Sequence, residues 1–190
     1  MKNAIIVHGT NDKEEYYSDY SSLSNAHWFP WLQNELLRKD IHAVTPEMFQ
    51  GYMPNYAHWK KEFERHDITP ETILVGHSCG GGFLVRWLSE NPDVRVGKVV
   101  LVAPWFDLNK TKGEDNDFFD FVIDVELVSR TKGVTIFNST DDEEAIHVTV
   151  DQIRSALPAV QYREFKNMGH FCHSDLGGEA FPELLEEILS

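Results

Sequence analysis

Short apolar runs recur along the chain and alternate with segments in which apolar residues have helical spacing. The runs are five or six residues long, mostly rich in β-branched side chains, and bounded by Gly, Pro or polar residues. Such runs are typical of strands buried within a sheet. They predict strands at residues 4–8, 41–45, 72–76, 98–103, 134–138 and 160–165.

Helices are predicted between these strands. The first begins near His27 and ends near Asp40, and the others cover residues 56–66, 79–90, 147–156 and the C-terminal segment from Phe181 onward. The segments 9–26, 105–132 and 166–178 are predicted to be irregular, apart from a short helix at 118–128. Strands that alternate with helices in this way predict an α/β fold, with a parallel sheet covered by helices on both faces.

Length and composition favour one domain spanning residues 1–190. With 42% hydrophobic residues the chain can bury a sizeable core. No apolar run approaches the roughly 20 residues of a membrane span, and the N-terminus leads directly into a strand without a signal-peptide core. Two cysteines are too few for a disulfide framework. A cytoplasmic location is therefore expected.

Charge and histidine content narrow the range of partners. The chain has 31 acidic and 17 basic residues and a net charge of −14, which argues against nucleic acid or an anionic membrane as a partner. Its nine histidines include no H-E-x-x-H motif and no Cys/His ligand pair. No metal site is therefore expected.

The turn after the third predicted strand carries the strongest chemical signal. Residues 76–80, Gly-His-Ser-Cys-Gly, fit the pattern G-x-S-x-G between a strand and a helix. So tight a reversal forces Ser78 into a strained conformation and lifts its hydroxyl above the sheet edge, at a helix N-terminus that favours negative charge. A Gly-rich turn with an incidental serine is the alternative, but the flanking strand and helix favour a nucleophile.

Acidic and basic groups follow later strands. Asp141 and Asp142 come after the fifth strand, and His170 comes after the sixth. Because parallel strands end at the same sheet edge, these groups should lie near Ser78, in the chain order Ser, acid, His. A histidine can take the serine proton and return it to the leaving group, while a carboxylate orients the ring. Spacing alone leaves both aspartates open.

Other histidines and both cysteines lie close in sequence to these groups. His77 is expected to be a packing or hydrogen-bonding residue, and His173 is expected to be exposed. Cys79 begins a helix whose dipole favours a thiolate, and Cys172 lies on the loop of His170. Each thiol is therefore either a small buried side chain or a reactive group beside the site.

An oxyanion hole requires two N–H donors that point at the former carbonyl oxygen of the substrate. One should be the backbone N–H of Cys79, directly after the proposed nucleophile. The second should come from the loop after the first strand, where Gly9 permits close approach; Thr10 is the preferred donor and Asn11 the alternative.

Four aromatic residues near the predicted strand ends could line a substrate pocket. They are Trp28, Phe29, Trp105 and Phe106. Aromatic side chains are more often part of the core, so the alternative is that these four only cover the sheet.

Five short motifs occur in a fixed order: His8-Gly9, His-Trp-Phe-Pro-Trp-Leu at 27–32, Gly-His-Ser at 76–78, Ser-Thr-Asp-Asp at 139–142 and Gly-His-Phe at 169–171. In these motifs the chain resembles the small α/β-hydrolases of the YdeN and retinoblastoma-binding-protein-nine type over nearly its whole length. The resemblance implies six parallel strands in the order 2-1-3-4-5-6 with little or no lid. It also implies serine hydrolase activity with Ser78, Asp142 and His170 as the triad, the second aspartate of the pair being the family's triad member.

We therefore expect a serine hydrolase that cleaves a small carboxylic ester, or less readily an amide or thioester, through an acyl-enzyme and without a metal or organic cofactor. The substrate is expected to be neutral rather than anionic, because acidic runs at residues 114–124 and 141–144 add to the negative net charge. The alternative is a non-catalytic module of the same fold that binds a protein partner, although the sequence indicates no particular partner.

Overall fold

Within residues 2–113 and 116–190, which the computed structural model describes, six strands form one parallel sheet. The strands are β1 (Asn3–Val7), β2 (His42–Val44), β3 (Ile73–His77), β4 (Val99–Val102), β5 (Val134–Ser139) and β6 (Gln161–Phe165). Their spatial order is β2-β1-β3-β4-β5-β6, and every neighbouring pair is parallel. The predicted fold class and strand order are confirmed.

Burial along the strands follows their position in the sheet. All residues of β3, β4 and β5 are buried, whereas the edge strands β2 and β6 have exposed or half-buried positions. Interior strands of a parallel sheet are covered on both faces, which explains why β3 and β4 are nearly continuous apolar runs while β6 contains Gln161, Arg163 and Glu164.

Helices cover both faces of the sheet. They are α1 (Lys13–Tyr16), α2 (Phe29–Leu37), α3 (Tyr56–Phe63), α4 (Cys79–Glu90), α5 (Glu144–Ala156), α6 (His173–Leu176) and α7 (Pro182–Leu189). Connections between parallel strands are right-handed, so the direction in which the chain moves along the sheet decides the face on which each helix lies. The chain moves towards the β2 edge only between β1 and β2 and towards the β6 edge afterwards, which places α2 on one face and α3, α4 and α5 on the other. On the first face Trp28 packs on Phe181, which precedes α7; on the other Phe63 packs on Phe83.

Two short helices lie in segments that were predicted to be loops. Helix α1 has no buried residue, and the side chain of Asp12 caps it by accepting a hydrogen bond from the Glu15 N–H. Helix α6 starts at a capping box formed by Cys172 and Asp175. Both helices are polar and contain four residues, so they have no apolar period by which they could be recognised.

The helix predicted at residues 118–128 is wrong. A 3₁₀ helix is assigned only at Val128–Arg130, and the apolar residues before it pack individually. Phe118 lies between Trp59 and Phe83, with ring centroids 5.0 and 6.2 Å away. Val122 and Val125, by contrast, are exposed, so the apolar residues of this segment share no common buried face. Of the acidic run at 114–124, Glu114 and Asp115 lie outside the described residues.

Across the same described ranges, none of the helices has both the length and the apolar character that crossing a membrane requires.

Candidate active site

Ser78 occupies a sharp turn between β3 and α4. Its backbone has φ 53° and ψ −124°, a left-handed conformation that is rare for a residue with a side chain. Two hydrogen bonds hold this strained turn against the end of β4: the Ser78 N–H donates to the Val102 carbonyl at 2.9 Å, and the Trp105 N–H donates to the Ser78 carbonyl at 3.0 Å. The strained strand-to-helix turn that the sequence predicts at Ser78 is therefore present.

Two glycines allow the loop after β1 to approach this turn. A Cβ atom on Gly80 would lie 2.3 Å from the Val7 carbonyl oxygen and 2.4 Å from that of His8. A Cβ atom on Gly9 would lie 2.9 Å from the Ser78 Cβ. Only glycine permits such close approach, which brings the Gly9–Thr10 segment beside the serine side chain.

His170 lies on the loop after β6 and is paired with Asp142. Its Nδ1 atom is 3.0 Å from each carboxylate oxygen of Asp142, so the ring N–H donates to this carboxylate. The Asp142 side chain is only 1% exposed, and the His170 side chain is 29% exposed. A buried acid beside a ring with one accessible edge is the arrangement that orients a general base.

Asp141 makes different contacts from its neighbour. One of its carboxylate oxygens accepts hydrogen bonds from the Ser139 hydroxyl at 2.5 Å and from the Gly169 N–H at 3.2 Å. The hydrogen bond from Ser139 lowers the pKa of the exposed Asp141 carboxyl group. Asp141 therefore ties the loop after β5 to the loop that carries His170, while Asp142 contacts the ring.

His77, the residue before the serine, contacts the same loop. Its Nε2 atom is 2.8 Å from the backbone carbonyl oxygen of His170, and the two imidazole rings are 4.9 Å apart. His77 is thus a hydrogen-bonding residue, as predicted, and His173 is exposed, as predicted. No hydrogen bond joins Ser78 Oγ to His170 among the described residues. Catalytic hydrogen bonds of this kind are often long in free enzymes and tighten when substrate binds.

Asp175 also fixes the loop of His170, and sequence reasoning did not identify it. Its Oδ2 atom accepts hydrogen bonds from the backbone N–H groups of His170 at 3.1 Å and Cys172 at 2.9 Å. The acidic residue three positions after Cys172, a capping-box spacing, is the signal that could have revealed it.

The two predicted oxyanion donors are next to Ser78 in different ways: Cys79 follows it directly in the chain, and Thr10 follows Gly9, which approaches the Ser78 side chain. Within residues 2–113 and 116–190, neither the Cys79 N–H nor the Thr10 N–H donates a hydrogen bond to another residue. The His8 ring is hydrogen-bonded to the loop that contains Thr10. Its Nε2 accepts a hydrogen bond from the Met48 N–H at 2.8 Å, so the ring proton is on Nδ1, which donates to the Gly9 carbonyl at 2.7 Å. Burial lowers the pKa of His8, which keeps this ring neutral.

The four predicted pocket residues fall into two groups. Trp28 and Phe29 are completely buried at the start of α2 and pack against His77, so the structure corrects the prediction that they line a pocket. Both side chains have an exposed fraction of zero, so neither has surface that a ligand could contact. Trp105 and Phe106, by contrast, line a cavity of 420 Å³.

That cavity lies between two segments that border the candidate site. One wall comes from the residues after β4 and begins at Trp105, whose N–H is bonded to Ser78. The other wall comes from the start of α5 and begins at Glu143, directly after Asp142. Apolar residues Leu108 and Val148 complete the lining together with Glu144 and others.

Neither thiol is in a setting that would make it reactive. Cys79 is fully buried, and burial raises its pKa well above the usual value despite its place at the helix N-terminus. Burial likewise raises the pKa of Cys172 to about 12. The interpretation as small side chains without special reactivity is the one that fits, with Cys79 buried and Cys172 half-buried. Among the described residues, no group of three or more His, Cys, Asp or Glu side chains could hold a metal ion.

Comparisons with known proteins agree with this geometry. A family model described as serine hydrolase matches residues 5–186. The chain is 25% identical over 194 aligned residues to YdeN of Bacillus subtilis, which is named as a hydrolase, and the match covers 100% of this chain and 95% of YdeN. The crystal structure of YdeN superposes with a TM-score of 0.80, covering 100% of this chain and 97% of that one at 22% identity.

A second solved structure, Est1E from Butyrivibrio proteoclasticus with ferulic acid bound, has a TM-score of 0.64 at 15% identity. It covers 100% of this chain and 90% of Est1E. At this level of identity the likeness concerns the fold alone.

Proposed function

The chain belongs to the serine hydrolase family, and we propose that it cleaves a small carboxylic ester through an acyl-enzyme in which Ser78 carries the acyl group. The observation that carries this proposal is the pairing of His170 with the buried carboxylate of Asp142, on loops that meet beside a serine in a strained turn. In this proposal Ser78 is the nucleophile, His170 the general base and Asp142 the orienting acid.

Because Nδ1 of His170 donates to Asp142, Nε2 is the ring atom that accepts the serine proton and later returns it. Ser78 Oγ attacks the ester carbonyl carbon while its proton passes to Nε2. The tetrahedral intermediate then collapses, the bond to the leaving alcohol breaks, and Nε2 returns the proton to that alcohol. Water next attacks the acyl-Ser78 carbon and gives a proton to Nε2. The second tetrahedral intermediate then collapses, the bond between Oγ and the acyl carbon breaks, and Nε2 returns the proton to Oγ. This restores the serine hydroxyl and releases the carboxylic acid.

Negative charge develops on the former carbonyl oxygen in both tetrahedral intermediates. We assign its stabilisation to the backbone N–H groups of Cys79 and Thr10, which make no hydrogen bond within the described residues. The first follows Ser78 directly, and the second follows Gly9, which approaches the Ser78 side chain. Because the Cys79 N–H lies at the start of the twelve-residue helix α4, the helix dipole adds to its effect. Removal of one such donor typically costs about 10²–10³ in kcat.

In this proposal the cavity lined by Trp105 and Phe106 binds either the acyl group or the alcohol group of the ester. Its apolar residues suit an uncharged acyl or aryl group, and ferulic acid bound to Est1E shows that a protein of this fold accepts an aromatic acid. Glu143 and Glu144 at the rim disfavour an anionic substrate. An amide or a thioester would be a poorer substrate in this proposal.

The test combines a fluorophosphonate probe with p-nitrophenyl esters of increasing acyl length. We expect the probe to label wild type at Ser78, and Ser78→Ala or His170→Ala to lower kcat by up to about 10⁶ with the fold retained. The double variant should lose scarcely more than either single one, since the two side chains act as a unit. Absence of both labelling and hydrolysis in folded wild type would instead favour a non-catalytic binding module.

A further inference from the structure

Two buried ring N–H groups hold the backbone of the loop that carries His170. We propose that His77 and Trp28 are positioning residues for His170: each donates its ring N–H to one of two successive backbone carbonyls, those of His170 and Phe171. The inference rests on the proposed function, and it assigns to these residues a role that neither packing nor substrate contact describes.

The two hydrogen bonds have ordinary, well-formed geometry. His77 Nε2 is 2.8 Å from the His170 carbonyl oxygen, and Trp28 Nε1 is 3.1 Å from the Phe171 carbonyl oxygen. A carbonyl oxygen can only accept, so His77 carries a proton on Nε2. The two donor rings are also in contact with each other, with centroids 5.8 Å apart and ring planes at 71°. His77 is only 3% exposed and Trp28 is fully buried.

The loop needs such support because its own backbone is irregular. Asn167, Gly169 and Phe171 all have positive φ, at 58°, 45° and 58°. No strand partner is available here, since β6 ends at Phe165 and α6 begins at His173. Carbonyls without partners are costly when they are buried. The His170 carbonyl receives the His77 ring N–H and lies 4.0 Å from Cys172 Sγ, and the Phe171 carbonyl receives the Trp28 ring N–H.

The same contacts place the support next to the reacting groups. His77 directly precedes Ser78, so one residue on the strand bearing the nucleophile holds the backbone of the base. A shift of His77 would therefore move both groups relative to each other. A displacement of about 1 Å between reacting groups can lower the rate by roughly 10²-fold.

His77 can bind the loop without repelling the positive charge that His170 acquires during catalysis. Burial lowers the pKa of His77 well below its usual value, and the neighbouring rings of His170, His27 and His8 lower it further. The ring therefore stays neutral in the working range of pH. A neutral donor leaves His170 free to become an imidazolium during catalysis.

The variants separate positioning from simple packing. His77→Phe keeps a ring and removes the donor, whereas His77→Gln keeps an N–H group near the position of Nε2. Trp28→Phe removes the second donor. Trp87→Phe is the matched control, because it deletes a buried indole whose N–H donates to Glu64 at 3.0 Å, away from the His170 loop.

Steady-state kinetics with a p-nitrophenyl ester gives the first readout. We expect His77→Phe to lower kcat by about 10- to 100-fold while KM changes less than about twofold, and His77→Gln to recover most of this loss. Trp28→Phe should lower kcat, whereas Trp87→Phe should lower only the melting temperature. A kcat for folded His77→Phe equal to wild type, or an equal fall in kcat for Trp87→Phe and Trp28→Phe, would overturn the inference.

The second readout does not depend on turnover. The low-field proton resonance of the His170 Nδ1–H, bonded to Asp142, should shift or broaden in His77→Phe and Trp28→Phe and remain as in wild type in His77→Gln and Trp87→Phe. If wild type hydrolyses no ester, the proposed function fails, and this resonance still decides whether the two rings position His170. If His77→Phe does not fold, kcat and the resonance are both measured on Trp28→Phe. An unchanged kcat together with an unchanged resonance in Trp28→Phe would reject the proposal.

Discussion

Two adjacent aspartates after β5 have different partners, which allows their roles to be separated by mutation. The Asp142 carboxylate contacts the His170 ring, whereas that of Asp141 accepts hydrogen bonds from Ser139 and Gly169. We expect Asp142→Asn to cost roughly 10⁴ in kcat, because the amide favours the wrong tautomer of the histidine. Asp141→Asn, the matched control, should change kcat much less, since the amide oxygen can still accept both hydrogen bonds.

Kinetics of both variants on one ester measures the difference. A larger loss for Asp141→Asn than for Asp142→Asn would mean that the orienting acid is Asp141.

At the scale of single residues, the sequence identified the candidate chemistry but not the contacts around it. Ser78 and His170 could be placed because each follows a strand, and parallel strands end at one sheet edge. Spacing could not distinguish Asp141 from Asp142, since the turn geometry after β5 decides which carboxylate reaches the ring. The hydrogen bond of the Trp28 indole could not be predicted either, because its partner, the Phe171 carbonyl, lies 143 positions away.

At the scale of elements, helix α7 is attached to the sheet through a buried carboxylate. Glu187 accepts a hydrogen bond from the Thr135 hydroxyl at 2.8 Å and one from the Arg163 guanidinium at 3.2 Å, and its carboxylate lies 3.7 Å from Lys98 Nζ. Its side chain is 9% exposed. These contacts link α7 to β5 and β6, on the face of the sheet opposite α4.

We expect Glu187→Ala to lower the free energy of unfolding by about 2 kcal/mol, because it leaves the buried Thr135 hydroxyl without its acceptor and removes the ion-pair partner of the half-buried Arg163. Urea denaturation measures this loss, and kcat of the folded variant should be unchanged since α7 carries no reacting group. Glu186→Ala, one position earlier and exposed, is the control and should cost little. Equal losses for the two variants would contradict a special role for Glu187.

Sequence patterns predicted elements well where apolar side chains repeat with a regular period. The six strands and the long helices were predicted close to their observed bounds, except that α5 begins at Glu144 rather than near 147. Helices α1 and α6 were missed because side-chain caps, not an apolar face, define them. The helix expected at 118–128 failed for the opposite reason: the segment has apolar residues, but Phe118 is buried whereas Val122 and Val125 are exposed, so they form no common face.

At the scale of the whole molecule, buried neutral histidines make stability depend on pH. Burial lowers the pKa of His8 and His77 in the folded state. Below about pH 6.5 the unfolded chain therefore binds more protons than the folded one, and stability falls as pH falls. Above that pH the contribution of both rings is fully present.

We expect the free energy of unfolding to fall between pH 7.5 and 5.5, with each of these histidines adding up to about 1.4 kcal/mol per pH unit below pH 6.5. His77→Gln removes one such group and should flatten the slope, whereas His42→Gln, at an exposed position, should leave it unchanged. Urea titrations at three pH values give the slopes. An identical slope in His77→Gln and wild type would show that His77 does not contribute.

The net charge of −14 also bears on substrate choice. Together with Glu143 and Glu144 at the rim of the cavity, it should disfavour anionic substrates. We expect neutral esters to have a higher kcat/KM than an acyl-CoA of the same acyl length, and the difference should shrink as added salt screens the charges. An acyl-CoA that exceeds every neutral ester at moderate salt would contradict this expectation.

Fold class and family could thus be predicted from periodicity and motif order, and the details of the site could not. Periodicity predicted a parallel sheet with helices on both faces, whereas the strand order followed from the family resemblance rather than from spacing. The cavity beside Trp105 depends on how the segment after β4 packs against α5, which no local pattern specifies.

The central claim is that Ser78 becomes acylated during turnover. The most direct measurement mixes the protein with a short-chain p-nitrophenyl ester, stops the reaction with acid within milliseconds, and maps the added acyl mass by peptide mass spectrometry. The account predicts a burst of p-nitrophenol and an acyl group on the peptide that contains Ser78, both absent in Ser78→Ala. Hydrolysis by wild type with no acyl group on Ser78, or with a burst that persists in Ser78→Ala, would contradict it.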